Sequence, residues 1–146
     1  SRAGFLAPGP AEQQKRVTEF DSALALDSLD SRILSNRPNV IDQLEWFATR
    51  VDMVSLLAYL NHNASAETRA ILASNPGIGP DAASKWNYLG YKGGSEPGVL
   101  SFNFLLRSRA GKNYAVAVSG NNEEISLQES DLLALTTRLV NLLAEQ

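Results

Sequence analysis

The stretch best equipped for chemistry is Gly90-Tyr-Lys-Gly-Gly-Ser-Glu-Pro-Gly98. A lysine followed by two glycines and a serine leaves backbone N–H groups bare of side-chain cover, with an ammonium group alongside. A strand edge built this way brings donors up to an anionic or carbonyl oxygen, which suits a carboxylate-bearing or acyl substrate. The plain alternative is a glycine-rich turn carrying an exposed lysine. A phosphate loop is excluded, because that motif ends in Gly-Lys-Ser/Thr before a helix; here Lys92 precedes the glycines and a strand follows. Gly77-x-Gly79 and Gly90-x-x-Gly93 are too short and scattered for a dinucleotide fingerprint.

Other conspicuous residues have simpler roles. His62, in Asn61-His-Asn63, sits where a helix ends and a partly cationic imidazole suits the dipole. Asn63-Ala-Ser65 matches a glycosylation tripeptide that is common by chance. Glu45-Trp-Phe47 and Trp86 read as core or rim aromatics, and Glu123-Glu124 as acids placed before a helix N-terminus. No pair of carboxylates is spaced for acid–base work. Ser-x-x-Lys, Gly-x-Ser-x-Gly and His-Glu-x-x-His are all absent. The residues by themselves compose no complete catalytic apparatus.

Composition narrows the classes further. With 146 residues, 44% apolar and 20% charged, the chain is long and apolar enough for a core and reads as one domain, 1–146. A net charge of −3 leaves no basic stripe for phosphates, which argues against nucleic acid as a partner. No cysteine means no disulfide, thiolate nucleophile or cysteine-ligated metal, and a single histidine is too few for a His-rich site. No metal and no cofactor are expected. No apolar run reaches the roughly 18 residues of a membrane span, and residues 1–10 lack the zones of a signal peptide. Ser1, standing where an initiator Met would, is read as the edge of a cut.

The elements that must position Lys92–Ser95 follow from periodicity. Pro10 opens a helix through residues 11–26, with Val17, Phe20 and Leu24 on one face, whereas 27–38 is rich in Asp, Ser and Asn and resists helix. Thr49-Arg-Val-Asp52 has the form of a capping box, starting a helix near Arg50 with a stripe of Val51, Val54, Leu57 and Leu60. A shorter helix follows Ser65 and stops at Ser74-Asn-Pro-Gly77. Leu100, Phe102, Phe104 and Leu106 alternate with their neighbours, as do Tyr114, Val116 and Val118 after the turn at 108–112: a β-hairpin. A third strand over 87–92 joins it across the glycine-rich 93–98. The last helix is expected to begin near Ser126 with Glu129 as capping partner, burying Leu132, Leu135, Leu139, Leu142 and Leu143. Ala115 and Ala117 mark where a helix can approach the sheet. The fold class is α+β: a helical N-terminal half, a three-stranded antiparallel sheet and a closing C-terminal helix.

In this setting, Tyr88-Leu-Gly-Tyr-Lys-Gly-Gly-Ser-Glu-Pro-Gly-Val-Leu100 resembles the C-terminal part of serine β-lactamases and penicillin-binding proteins, nearest a β-lactamase-related branch of serine hydrolases. Leu44-Glu-Trp-Phe-Ala-Thr49 and Ile71-Leu-Ala-Ser-Asn-Pro-Gly77 fit that branch too. The resemblance runs over residues 41–143 and is weak over 1–40. It implies one part of a β-lactamase-like α/β sandwich, in a bacterial, exported or periplasmic hydrolase. The family's Ser-x-x-Lys and Ser-x-Asn motifs lie N-terminal to the matched part, and neither occurs upstream of Lys92 here. By resemblance, Lys92 orients a substrate carboxylate, Gly94 clears room for substrate along the strand, and the Ser95 N–H forms half of an oxyanion hole. One such donor contributes about 3 kcal/mol to barrier lowering. Gly93 departs from the Thr or Ser usual there, which removes a hydroxyl from the substrate-binding wall and puts β-lactam turnover in doubt.

The expected function is therefore the Lys-Gly-Gly wall of an acyl-transfer site, without its nucleophile, inactive as an isolated chain. Its partner in the complete protein would be a small-molecule or peptide-like acyl substrate. The rival reading is a non-catalytic binding module that pairs a partner strand at the edge near Gly93. Loss of a covering half would leave apolar surface exposed and favour a homodimer or swapped pairing, which a clean monomer in sedimentation would exclude.

Overall fold

The computed structural model describes residues 7–23, 37–38, 41–42 and 48–146. The chain divides into two compact units, Ser1–Ser35 and Asn36–Gln146. In the first, helix α1 (Pro10–Ala23) starts at its proline, whose missing N–H costs nothing in a first turn. Gly9 supplies the carbonyl that accepts from the Glu12 and Gln13 N–H groups, and Arg16 pairs with Glu12 at 3.1 Å. Residues 24–26 of the expected helix, the expected break over 27–36 and the Glu45-Trp-Phe47 cluster lie outside the described residues.

The second unit begins with helix α2 (Arg50–Asn63). Its capping box forms as the sequence implies: the Asp52 N–H donates to Thr49 Oγ1 at 3.1 Å, while the Asp52 carboxylate accepts from the Thr49 N–H at 2.8 Å. The buried stripe does not follow the expected line. Leu57 is buried, but Val51 and Val54 are exposed, and the inward row instead runs through Met53, Leu57 and Leu60. Helix α3 (Ala66–Ala73) is capped by Ser65, which accepts from the Thr68 N–H at 3.2 Å, and it ends at Ser74 as expected. A short turn of helix, α4 (Pro80–Ala83), leads into the sheet.

Strands β1 (Tyr88–Glu96), β2 (Val99–Arg107) and β3 (Asn113–Asn121) pair antiparallel in the order β1-β2-β3. One correction concerns β1. The glycine-rich segment is not a connection; Gly93, Gly94 and Ser95 continue the strand, and the turn is only Pro97-Gly98. Alternation divides the sheet into two faces. Leu89, Tyr91, Phe102, Phe104, Leu106 and Val116 face one way, where they pack with Ile78, Trp86 and Val140. Lys92, Asn103, Leu105, Ala115 and Ala117 face the other, where α2 lies against β2 and β3.

Helix α5 (Glu129–Ala144) closes the first face. It starts later than Ser126 and has no side-chain cap, because Asn122 Oδ1 already accepts from the Glu124 and Ile125 N–H groups at 2.9 and 3.1 Å and holds that segment in a turn. Its buried line also differs from the leucine stripe: Thr136 and Val140 are fully buried, while Leu135, Leu139 and Leu142 are exposed. Thr136 can be buried because its hydroxyl donates to the Leu132 carbonyl at 2.7 Å. Helices above and below a three-stranded antiparallel sheet make this an α+β arrangement.

The capping box yields a measurable expectation. Hydrogen bonds from the Thr49 side chain and backbone hold the Asp52 carboxyl below its ordinary value. A depressed native pKa contributes stability above the unfolded value, and that contribution fades as pH falls through the native one. Thr49→Ala should raise the Asp52 pKa toward the ordinary value, read by NMR titration. It should cost about 1 kcal/mol in urea unfolding at neutral pH, with the difference from the parent shrinking in acid.

Candidate functional site

The turn at Pro97-Gly98 decides which way the edge strand presents its backbone. Proline pre-sets the first turn position, and Gly98 takes φ 84° at the second, the left-handed value that a type II turn needs. A Cβ there would also strike the Asn122 carbonyl and the Pro38 ring. A two-residue turn makes Glu96 and Val99 a hydrogen-bonded pair. The opposite side of β2 agrees, since the Asn122 N–H donates to the Gly98 carbonyl at 2.8 Å, as it must if Val99 directs its own groups toward β1. Alternation then turns the N–H and C=O of Ser95 and of Gly93 away from β2, toward the open edge.

The residues singled out from the sequence sit together on that edge. Lys92, Gly94 and Ser95 are exposed. Lys92 Nζ donates to the outward-facing Gly93 carbonyl. Gly94 has nothing within 4 Å of where a Cβ would stand, so space is open beside it. Behind them, buried Asn103 donates from Nδ2 to the Lys92 carbonyl at 3.1 Å and to Ser101 Oγ at 2.9 Å, tying β1 to β2 at the lysine. A cleft of about 430 Å³ runs along this edge, bounded by β1, by Ile71, Leu72, Ser74 and Asn75 at the end of α3 and just past it, and by Glu129 at the start of α5.

Gly93 has a specific reason to lack a side chain. The Tyr91 ring, stacked on Phe102 at 6.5 Å between centroids and tilted against Phe104 at 5.0 Å, lays its hydroxyl where a Cβ on residue 93 would be. Burial, with the Glu129 carboxylate adding to it, raises the Tyr91 phenol above its ordinary pKa, so it remains a protonated O–H. The same device recurs three residues earlier on the other face. There Tyr88 covers Gly90 and donates to the Arg69 carbonyl at 3.1 Å. The missed members of the site are thus Tyr91, Glu129 and Asn103. The signal for Tyr91 was present as Tyr-x-Gly written twice over 88–93; Glu129 is brought to the cleft only by tertiary packing.

Other candidates stay away from the cleft. His62 lies in the last turn of α2, as expected. Trp86 is a core aromatic, edge-on to Tyr114 at 5.7 Å. Glu123 and Glu124 sit in the loop before α5, whose first-turn acids are Glu129 and Asp131. Ser101-Phe-Asn103 and Ser119-Gly-Asn121 have the Ser-x-Asn spacing but lie within β2 and β3. Among the described residues no group of acids and His could hold a metal ion, and no helix is long and apolar enough to cross a membrane. No family model matches the sequence, and no curated protein matches it.

The packing of Tyr91 over Gly93 predicts a steric coupling. Gly93→Ala should cost about 1–3 kcal/mol by overpacking, and a cycle with Tyr91→Ala should return a coupling of about 0.5–3 kcal/mol, measured by urea unfolding. Gly94→Ala, facing open space, should stay within about 0.5 kcal/mol of the parent.

Proposed function

We propose that this chain forms one wall of an acyl-transfer site in a serine hydrolase of the β-lactamase and penicillin-binding-protein type, as part of that family's α/β sandwich, with the nucleophile supplied by another segment. Lys92, Gly93 and Gly94 line the substrate, and the Ser95 N–H donates to the developing oxyanion. The observation that carries the reading is the outward-turned Ser95 N–H at an open strand edge, next to Lys92 and facing a cleft of about 430 Å³. In the reaction, a serine hydroxyl gives up its proton to a base and adds to the acyl carbonyl. The carbonyl oxygen takes the negative charge beside Ser95, and the leaving group departs. Water then cleaves the acyl ester and restores the serine.

Ser95 allows a clean test, because an N–H that faces away from the ladder can be removed without breaking it; proline is tolerated at such edge positions. The protein from the complete reading frame should be labelled by an alkyl fluorophosphonate on a serine outside residues 1–146, and the chain alone should not be labelled. Ser95→Pro should label at least about a hundredfold more slowly than Ser95→Ala, which keeps the N–H. Equal rates for the two variants, or labelling within the chain alone, would sink the assignment.

The same open edge supports a second reading, a binding module that accepts a partner strand on β1. Extended peptides titrated against the chain would then shift the amide resonances of Gly93 and Ser95, and Lys92→Ala would weaken the effect. Silence in both forms would remove this reading.

A further inference from the structure

We propose that the cleft along β1 takes an uncharged, aliphatic acyl group and disfavours one whose chain ends in a carboxylate, with Tyr91 and Glu129 setting that preference. This rests on the acyl-transfer reading and names its substrate class. Three features of the cleft support it.

The first is steric. Residue 93 contributes no side chain, and the space is taken by the Tyr91 phenol, held from behind by Phe102 and Phe104. The wall therefore offers a single O–H on a rigid ring, and that hydroxyl makes no hydrogen bond to any other described residue. Being kept protonated, it donates to an acceptor without supplying positive charge.

The second is electrostatic. The charged residues among those lining the cleft are Lys92 and Glu129, one of each sign. The Lys92 ammonium is turned onto the carbonyl of Gly93, whereas Glu129 stands close enough to Tyr91 to act on its phenol. An anionic group brought to the Tyr91 hydroxyl would meet the exposed Glu129 carboxylate, a like charge whose repulsion is felt at short range and weakened by salt. A carbonyl or ether oxygen would meet only the donor.

The third is the remaining lining. Ile71, Leu72, Leu100 and Phe102 give the cleft an apolar floor and side, suited to an alkyl chain.

The test uses the protein from the complete reading frame and two esters matched in chain length, p-nitrophenyl hexanoate and mono-p-nitrophenyl adipate. The neutral ester should have the higher kcat/KM, by about tenfold or more at low salt, and added salt should narrow the gap. Glu129→Gln should cut the ratio severalfold by improving the adipate ester. Tyr91→Phe, which keeps the stacked ring and loses only the donor, should raise KM for both esters. Hydrolysis without a preference for the neutral ester, an unchanged ratio in Glu129→Gln, or an unchanged KM in Tyr91→Phe would overturn the inference while leaving the acyl-transfer reading in place. Failure to cleave either ester, together with no fluorophosphonate labelling, would remove both.

Discussion

Everything at the edge of this sheet depends on the register that the Pro97-Gly98 turn imposes. Side chains on a strand repeat every two residues, so a slip of one position would exchange the faces of β1. Tyr91 would leave Phe102 and Phe104, Lys92 would enter the core, and Ser95 would turn its N–H into the ladder. The turn prevents this through backbone conformation alone. Gly98 occupies a left-handed value that other residues adopt at a cost, in a space already closed by Asn122 and Pro38. The Asn103 side chain adds a second lock by bonding the Lys92 carbonyl across the strand pair.

Given that register, the two faces call for different cover. The face bearing Phe104 and Leu106 is apolar through its middle and is buried beneath a helix with an apolar line, which α5 provides through Val140 and Leu143. The opposite face mixes Leu105 with Asn103 and small alanines, and α2 lies on it through Leu57. Polar atoms are admitted where the chain can bond them internally: the Thr136 hydroxyl within its own helix and Asn103 Nδ2 to the lysine carbonyl. Three buried atoms (Trp86 Nε1, Asn103 Oδ1 and Asn141 Oδ1) have no partner among the described residues.

Elements whose signals are local were legible in the sequence. Thr49 and Asp52 satisfy each other within one turn, so their spacing alone marks the start of α2. Alternation in β2 and β3 needs only a sheet with one apolar face. The buried line of α5 was not legible. Leu132, Leu133, Leu135, Leu139, Leu142 and Leu143 spread over about half the circumference of the helix, so periodicity admits more than one stripe, and the buried line falls to one side of that arc, at Thr136 and Val140. The extent of β1 was hidden for a related reason. Glycines suggest a loop when read singly, yet Gly90 and Gly93 are strand residues whose missing side chains are replaced by tyrosine rings from two positions earlier.

That substitution of a neighbour's ring for a residue's own side chain also bears on the chemistry. A short side chain at position 93 would carry its polar group on a flexible stem directly above the strand. A tyrosine reaching over a glycine puts a hydroxyl in nearly the same place, but the ring packs against two aromatics and would have little freedom left to lose if a ligand bound. The exchange also fixes the character of the donor. A phenol half-buried beside a carboxylate resists ionisation and carries no positive charge with which to hold an anion. The selectivity proposed for this edge would therefore rest on the same contact that covers Gly93 in the strand. Gly93 cannot gain a side chain without dislodging Tyr91, and Tyr91 cannot move without exposing the aromatic layer on which the sheet rests.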